Sequence, residues 1–113
     1  MSRDEAALLD IARSVRLIIE FTQAMDESDF LGDVKTQSAV LHQLLVLGEA
    51  VKRLSPEFRE RHPDIPWVLI ARMRDNLILE YDSVDLEEVC STAERDVPRL
   101  QALLMPLLPP SAP

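Results

Sequence analysis

The spacing of apolar residues is the feature of this sequence that most restricts its fold. Between residues 4 and 25 they recur at alternating steps of three and four, the repeat that places side chains on one face of an α-helix. The chain has only two glycines, and its eight prolines lie mainly at 56–66 and in the last segment. Long segments without helix breakers favour helices over short strands joined by tight turns. The helical stripe consists of Leu8, Ile11, Val15, Ile18, Thr22 and Met25.

Two more helices are predicted in the middle of the chain. The second, from about Gly32-Asp33 to Leu54, is apolar around most of its circumference, so we expect it to be central and contacted on more than one side. Gly48 within it lowers helix propensity by about 1 kcal/mol relative to alanine, which suggests a close backbone crossing there. A third helix is predicted to begin at Pro66 and to run towards Tyr81, since proline is favoured at the first helical position.

The connections between these helices carry turn and capping residues. The polar run at 26–29 is predicted to be a connection. Ser55 is predicted to cap a short turn that begins with Pro56 and ends near Arg61, and residues 62–66 then break the chain.

A fourth helix completes the pattern. Asp85 is a plausible N-cap, with Glu88 completing a capping box, and the apolar repeat then continues to Leu107. Pro98 should kink this helix or mark a join between two segments. We therefore predict an all-α fold: an antiparallel four-helix up-and-down bundle with short extra turns, in one domain over residues 1–108, followed by a disordered tail at 109–113.

Composition narrows the class of protein. With 47% hydrophobic and 28% charged residues over 113 positions, the chain has the make-up of a compact soluble domain. No apolar run approaches the length that spans a bilayer, and residues 1–25 are amphipathic and partly acidic. We therefore expect neither a membrane helix nor a signal peptide. The expected location is the cytoplasm. The single cysteine, Cys90, excludes an intramolecular disulfide and is expected to be a buried small hydrophobe.

Charge is distributed unevenly along the chain. The net charge of −8 argues against a general nucleic-acid coat, because phosphate contacts need lysine and arginine. Residues 52–74 nevertheless carry half of all basic residues, with a local excess of +3, whereas residues 75–96 contain eight acids and one base. Two explanations stay open: a focused site for a phosphate-bearing ligand, or helix faces that pair with each other in the fold.

Three blocks of sequence carry a resemblance to a known family. They are Leu47–Pro56, His62–Trp67 and Arg74–Asp85. In this order, on a helical chain of this length, they closely resemble the HepT-like branch of the HEPN superfamily, over residues 5–105. The third block resembles that family's RNA-cleaving motif, which is an arginine, four residues, a histidine, any residue, and a tyrosine. Arg74 and Tyr81 match the motif, but Leu79 stands where the histidine belongs.

The resemblance implies a toxin of the HEPN–MNT type, a type VII toxin–antitoxin system. Such a toxin is a homodimer whose two motif helices form a composite endoribonuclease site, acting on RNA (tRNA among the possible targets), and it needs no metal or other cofactor. The 2′-hydroxyl of the RNA attacks the adjacent phosphate, the histidine transfers protons, and the arginine stabilises the charge on the phosphate. The antitoxin is a nucleotidyltransferase that transfers AMP to the motif tyrosine.

Carried over to this chain, the resemblance assigns roles to Arg74, Asp75 and Tyr81, and helical spacing adds Glu49 as a supporting candidate. Arg74 would bind phosphate, since guanidinium offers a fixed fork of donors, and Tyr81 would be the AMPylated hydroxyl. Asp75 could orient the motif. Glu49 could either pair with Arg53 one helical turn away or buttress the motif arginine. Leu79 cannot transfer a proton, so the rate should fall by roughly 10²–10⁴ from the loss of general acid–base catalysis.

Other residues offer little chemistry. His42 is expected to be a hydrogen-bonded core histidine and His62 a loop residue, and neither is expected to replace the missing base. No cluster has the spacing of a zinc, magnesium or P-loop site. Leu79 could be natural, engineered, or an escape mutation selected because an active toxin kills its host. A second hypothesis is a non-catalytic HEPN module that binds and regulates a nucleotidyltransferase partner.

Overall fold

The computed structural model describes residues 1–110, and every regular element in that part of the chain is helical. The predicted all-α class is therefore confirmed. The end of the predicted disordered tail, residues 111–113, lies outside the described residues. The α-helices are α1 (Arg3–Thr22), α2 (Glu27–Leu31), α3 (Val34–Lys52), α4 (Pro56–Arg61), α5 (Trp67–Leu79), α6 (Leu86–Ser91) and α7 (Val97–Leu104).

Four main segments form the bundle, as predicted: α1, α3, α5 and the C-terminal segment that contains α6 and α7. Helix α3 is central, because it packs against both α1 and α5. Helix α1 also packs against α7, whereas α5 packs mainly against α3. The core is built from the apolar faces of these helices, and its fully buried members include Leu8, Ile11, Ile18, Val40, Leu44, Leu47 and Leu104.

Helix α1 ends earlier than the apolar stripe predicts. The helix stops at Thr22, and Ala24 adopts a left-handed backbone conformation with φ of 63°. Such a residue cannot continue a right-handed helix. The members of the stripe from Leu8 to Ile18 are buried, whereas Thr22 and Met25 are partly exposed.

The prediction of a polar connection at residues 26–29 was wrong, because this run opens α2. The Asp26 carboxylate accepts a hydrogen bond from the backbone N–H of Asp29, and the Asp29 carboxylate accepts one from Asp26. These reciprocal bonds form a capping box, and α2 then buries Phe30 in the core. The capping box expected at Asp85 is half formed among the described residues. The Asp85 side chain caps α6, but the Glu88 side chain accepts no hydrogen bond from the backbone N–H of Asp85.

The C-terminal segment changes geometry ahead of Pro98, which confirms the predicted join. A π-helical turn, Thr92–Asp96, lies between α6 and α7, and the backbone N–H of Val97 bonds to the carbonyl of Thr92. Proline cannot donate to the preceding turn, and its ring clashes with the carbonyl four residues earlier. The wider turn moves that carbonyl aside, so the segment continues as a helix through α7.

Two further expectations concern burial. Cys90 is free and buried, as predicted, and desolvation, together with nearby carboxylates such as Glu94, raises the pKa of its thiol. Over residues 1–110, no helix is both long enough and apolar enough to cross a membrane.

Candidate active site

The site is built where α5 crosses α3 at Gly48. A Cβ atom placed on Gly48 would overlap the Cβ of Arg74, lie 2.8 Å from its Cγ and 3.4 Å from the carbonyl oxygen of Ile70. The close crossing expected at this glycine is therefore confirmed. It sets the base of the Arg74 side chain directly on the backbone of α3.

Two carboxylates from two helices hold the guanidinium of Arg74. Its Nη2 lies 2.8 Å from Oε2 of Glu49 on α3, and its Nη1 donates a 3.1 Å hydrogen bond to Oδ1 of Asp75. Of the two partners considered for Glu49, the fold selects Arg74, since Arg53 pairs with Asp10 on α1 at 2.8 Å. The Arg74 side chain is 26% exposed, so it is sheltered on one side and open to solvent on the other.

A second cation, Lys52, joins the same group. Its Nζ lies 2.5 Å from Oδ1 of Asp75, the oxygen that also accepts from Arg74. Hydrogen bonds from Lys52 first, and from Arg74 second, hold the pKa of the Asp75 carboxyl below its usual range. Asp75 is therefore ionised at neutral pH, and the four side chains form a group of two positive and two negative charges.

The motif positions after Asp75 lie at the end of α5. Leu79 is the last helical residue and is 82% exposed, so its side chain makes almost no packing contacts within the chain. The third helix ends two residues before Tyr81, because Glu80 leaves the helical conformation, and it begins at Trp67, with the predicted first residue Pro66 as its N-cap. Tyr81 begins a 3-10 turn, Tyr81–Ser83, and its ring is exposed.

Arg74 and Leu79 point in different directions within one chain. Five residues along an α-helix correspond to a rotation of about 140°. Arg74 faces α3, whereas Leu79 faces solvent. The two side chains thus leave α5 in different directions, and the guanidinium of Arg74 reaches Asp75, which lies one helical turn before Leu79.

Neither histidine lies in this group of charges. His42 is exposed on α3, so the expectation of a hydrogen-bonded core histidine was wrong. His62 follows α4, where its ring packs against Phe58 with 4.6 Å between centroids and its carbonyl accepts a 3.0 Å hydrogen bond from Trp67. His62 therefore acts in packing. Within residues 1–110, no group of three or more His, Cys, Asp and Glu side chains is arranged to hold a metal ion.

Comparison with protein families gives a match over most of the chain. The family described as "Ribonuclease HepT-like" matches residues 11–107. This range includes the four charged side chains around Arg74 (Glu49, Lys52, Arg74 and Asp75) and Tyr81.

The chain belongs to the HepT-like ribonuclease family.

Curated relatives agree with this assignment. A protein of Thermococcus cleftensis named "Probable ribonuclease HepT" is 46% identical over 94 residues, which cover 83% of this chain and 86% of the relative. Two further relatives carry the term RNase in their names. One, from Methanocaldococcus jannaschii, is 42% identical over 82% of this chain and 77% of its own length. The other, from Caldanaerobacter subterraneus, is 36% identical over 87% of this chain and 88% of its own length. The solved structures include no significant match.

Lys52 belongs to this group of charges but not to the sequence motif. Lys52 was counted only as part of the basic zone, although it lies three residues after Glu49 on α3 and therefore on the same helix face. That spacing was the available signal. The sequence does not reveal the angle at which α5 crosses α3, and this angle brings Asp75 to Lys52.

Proposed function

We propose that this HepT-like chain is the toxin component of a toxin–antitoxin pair, with a metal-independent endoribonuclease site that Leu79 weakens or silences. The observation that carries the proposal is the Arg74 guanidinium, which two carboxylates hold in place and solvent still reaches. An arginine fixed in this way is pre-arranged to bind a phosphate of RNA.

The proposed chemistry divides the work between two motif positions. The 2′-hydroxyl of the RNA attacks the adjacent phosphate, and Arg74 stabilises the negative charge that develops on the phosphate oxygens. A histidine at position 79 would take the proton from the attacking hydroxyl and return one to the leaving oxygen. Leu79 can do neither, so the 2′-hydroxyl remains a weak nucleophile at neutral pH.

A homodimer completes the site in this proposal. The side chains of Arg74 and position 79 leave α5 about 140° apart, so we expect that one chain alone does not bring both groups onto a single phosphate. Two facing copies of α5 can combine the arginine of one with position 79 of the other. The outer surface of α5 supports this arrangement, because Val68 and Leu79 are exposed apolar residues that lie only about 20° apart around the helix.

The partner in the proposal is a nucleotidyltransferase antitoxin that transfers AMP to Tyr81. The hydroxyl is accessible, since the tyrosine lies exposed in a 3-10 turn beyond the end of α5. An AMP group on Tyr81 would place a bulky anion two residues from position 79. It would hinder RNA sterically and repel its phosphates.

The decisive experiment restores the histidine. The unchanged chain should cleave RNA poorly or not at all in EDTA, whereas Leu79→His should cleave it at least roughly 10²-fold faster, which is the lower range for general acid–base catalysis. The variant should also be toxic when expressed alone. Adding Arg74→Ala to Leu79→His should silence it again.

The structure supplies a matched control for this experiment. Ile78→His places an imidazole at an exposed neighbouring position of the same helix. We expect this variant to remain inactive, because its ring lies about 100° around the helix from the motif position. Rapid cleavage of RNA by the unchanged chain, as fast as by Leu79→His, would show that the active site lies elsewhere.

A non-catalytic HEPN module is the second candidate. The exposed Leu79 beside Ile78 favours this candidate, since two exposed apolar side chains at the end of α5 suit contact with a partner better than proton transfer. Such a module would bind a nucleotidyltransferase and regulate it. Failure of Leu79→His to cleave RNA, together with tight binding of the transferase, would select this candidate.

A further inference from the structure

Lys52 and Arg74 converge on a single oxygen atom. The ammonium of Lys52 lies 2.5 Å from Oδ1 of Asp75, and Nη1 of Arg74 lies 3.1 Å from the same oxygen. The two cations come from different helices, α3 and α5, and the close crossing at Gly48 fixes the distance between those helices. Two positive groups therefore lie side by side at one solvent-exposed point.

Both cations keep hydrogen-bonding capacity beyond these contacts. An ammonium group has three N–H donors, and Lys52 directs one of them to Asp75. A guanidinium has five, and Arg74 directs its contacts to Glu49 and Asp75 through its two terminal nitrogens. An anion next to Asp75 can thus receive donors from both residues without displacing a carboxylate.

We infer that Lys52 and Arg74 together form one binding site for an RNA backbone phosphate, with Lys52 as a second phosphate-binding residue. The inference rests on the proposed function, since it concerns the same site. Asp75 and Glu49 hold the two cations in position, and the phosphate completes their coordination. Arg74 supplies oriented donors and Lys52 a compact point charge.

The neighbouring residue Arg53 provides a matched comparison. It carries the same charge and also pairs with a carboxylate, but its partner is Asp10 on α1 at 2.8 Å. Its side chain therefore lies on another side of α3. Neutral variants at Lys52 and at Arg53 change the net charge equally, so a difference in RNA affinity between them reports where the cation lies.

The test measures binding of a short fluorescein-labelled single-stranded RNA to the chain with Leu79, by anisotropy at several salt concentrations. Lys52→Gln is expected to bind about five- to tenfold more weakly, and the slope of log K against log salt should become shallower by about 0.7. The affinity of Arg53→Gln for the RNA should stay within about twofold of that of the unchanged chain. Lys52→Arg should bind as tightly as the unchanged chain. Lys52→Met, a second neutral variant, should behave like Lys52→Gln.

The outcomes separate this inference from the proposed function. If Arg74→Gln weakens binding while Lys52→Gln behaves like Arg53→Gln, Lys52 does not bind phosphate and the proposed function stands. If Arg74→Gln binds RNA as tightly as the unchanged chain, the proposed function fails and the two-cation site fails with it. Thermal unfolding of each variant checks that the fold is intact.

Discussion

At the scale of single residues, the position of Arg74 depends on the absence of a side chain at Gly48. Glycine costs helix stability, yet here it lets α5 approach so closely that the Cβ of Arg74 occupies the space of the missing methyl group. The guanidinium then extends along α3 to Glu49. Packing and chemistry are therefore coupled at this one position.

We predict that Gly48→Ala destabilises the chain despite the better helix propensity of alanine. The added methyl group meets the rigid base of Arg74 and the carbonyl of Ile70, so α5 must shift away, at a net cost of about 1–2 kcal/mol after the gain in helix propensity. Urea unfolding measures this. Gly32→Ala is the control, because a Cβ there would meet only Ser28 and Asp29 carbonyl oxygens, at 3.5 and 3.9 Å. Equal stability of the two variants would contradict the prediction.

A second prediction at this scale concerns Tyr81. Incubation with the cognate nucleotidyltransferase and ATP should add one or more AMP masses to a peptide that contains Tyr81, because its hydroxyl is exposed and does not depend on position 79. Tyr81→Phe should abolish the modification, as read by mass spectrometry. The same added mass on the Phe variant would place the acceptor elsewhere.

The residue scale also shows what sequence patterns can predict. Spacing placed Glu49 within reach of Arg53, and bundle packing offered the motif arginine as a second partner. The choice between them depended on how α5 crosses α3. His42 was expected in the core because its neighbours in sequence are apolar, but it lies on the narrow exposed side of α3. Long-range contacts, which local spacing does not contain, decided both cases.

At the scale of helices, capping side chains mark the starts of some helices, and backbone conformation marks the end of another. Ser55 and Asp85 cap α4 and α6 as the sequence predicts. Helix α1 instead ends near Ala24, an alanine in the left-handed region that glycine normally occupies. Such a conformation is strained for any residue with a Cβ atom.

We predict that Ala24→Gly stabilises the chain by about 0.5–1 kcal/mol. Glycine relieves the strain at φ of 63°, and this gain exceeds the greater freedom of glycine in the unfolded chain. Ala12→Gly, the same exchange inside α1, should instead destabilise by about 1 kcal/mol. Thermal or urea unfolding distinguishes the two signs, and a loss of stability in both variants would refute the argument.

Helix boundaries were predictable where apolar periodicity and caps coincide, and less so elsewhere. Helix α2 was missed because its first turn is almost wholly polar, although the reciprocal pair Asp26 and Asp29 is itself a helix-start signal. The extension of α5 to Tyr81 was two residues too long, since Leu79 and Glu80 give no stop signal in sequence. The join before Pro98 followed directly from the missing N–H of proline.

At the scale of the whole molecule, α5 is the least covered of the main helices. It packs mainly on α3, and two adjoining grooves of about 370 Å³ each, with Leu44 in their floor, separate it from the C-terminal segment. Four of its apolar residues are exposed, namely Val68, Leu69, Ile78 and Leu79. An apolar surface of this kind is typical of an interface.

We predict that the chain is a homodimer through α5. Sedimentation at micromolar concentration should give twice the mass of the chain, and Val68→Glu should shift it towards the monomer because it places a charge in the apolar contact. Val34→Glu is the control, since Val34 is similarly exposed but lies at the start of α3. A monomer in the unchanged protein would contradict both the dimer and the composite site.

The exposure of Leu79 has a genetic consequence. Because the side chain packs against almost nothing, exchange with histidine is expected to leave the fold unaffected. If the chain is the toxin proposed above, selection can then act on toxicity without acting on stability. A leucine codon of the form CUU or CUC becomes a histidine codon when its middle base alone changes. Under the proposed function, a population that carries such a codon would hold an inactive toxin gene that a single transversion makes active, and loss of the antitoxin gene would be tolerated only while the toxin is inactive.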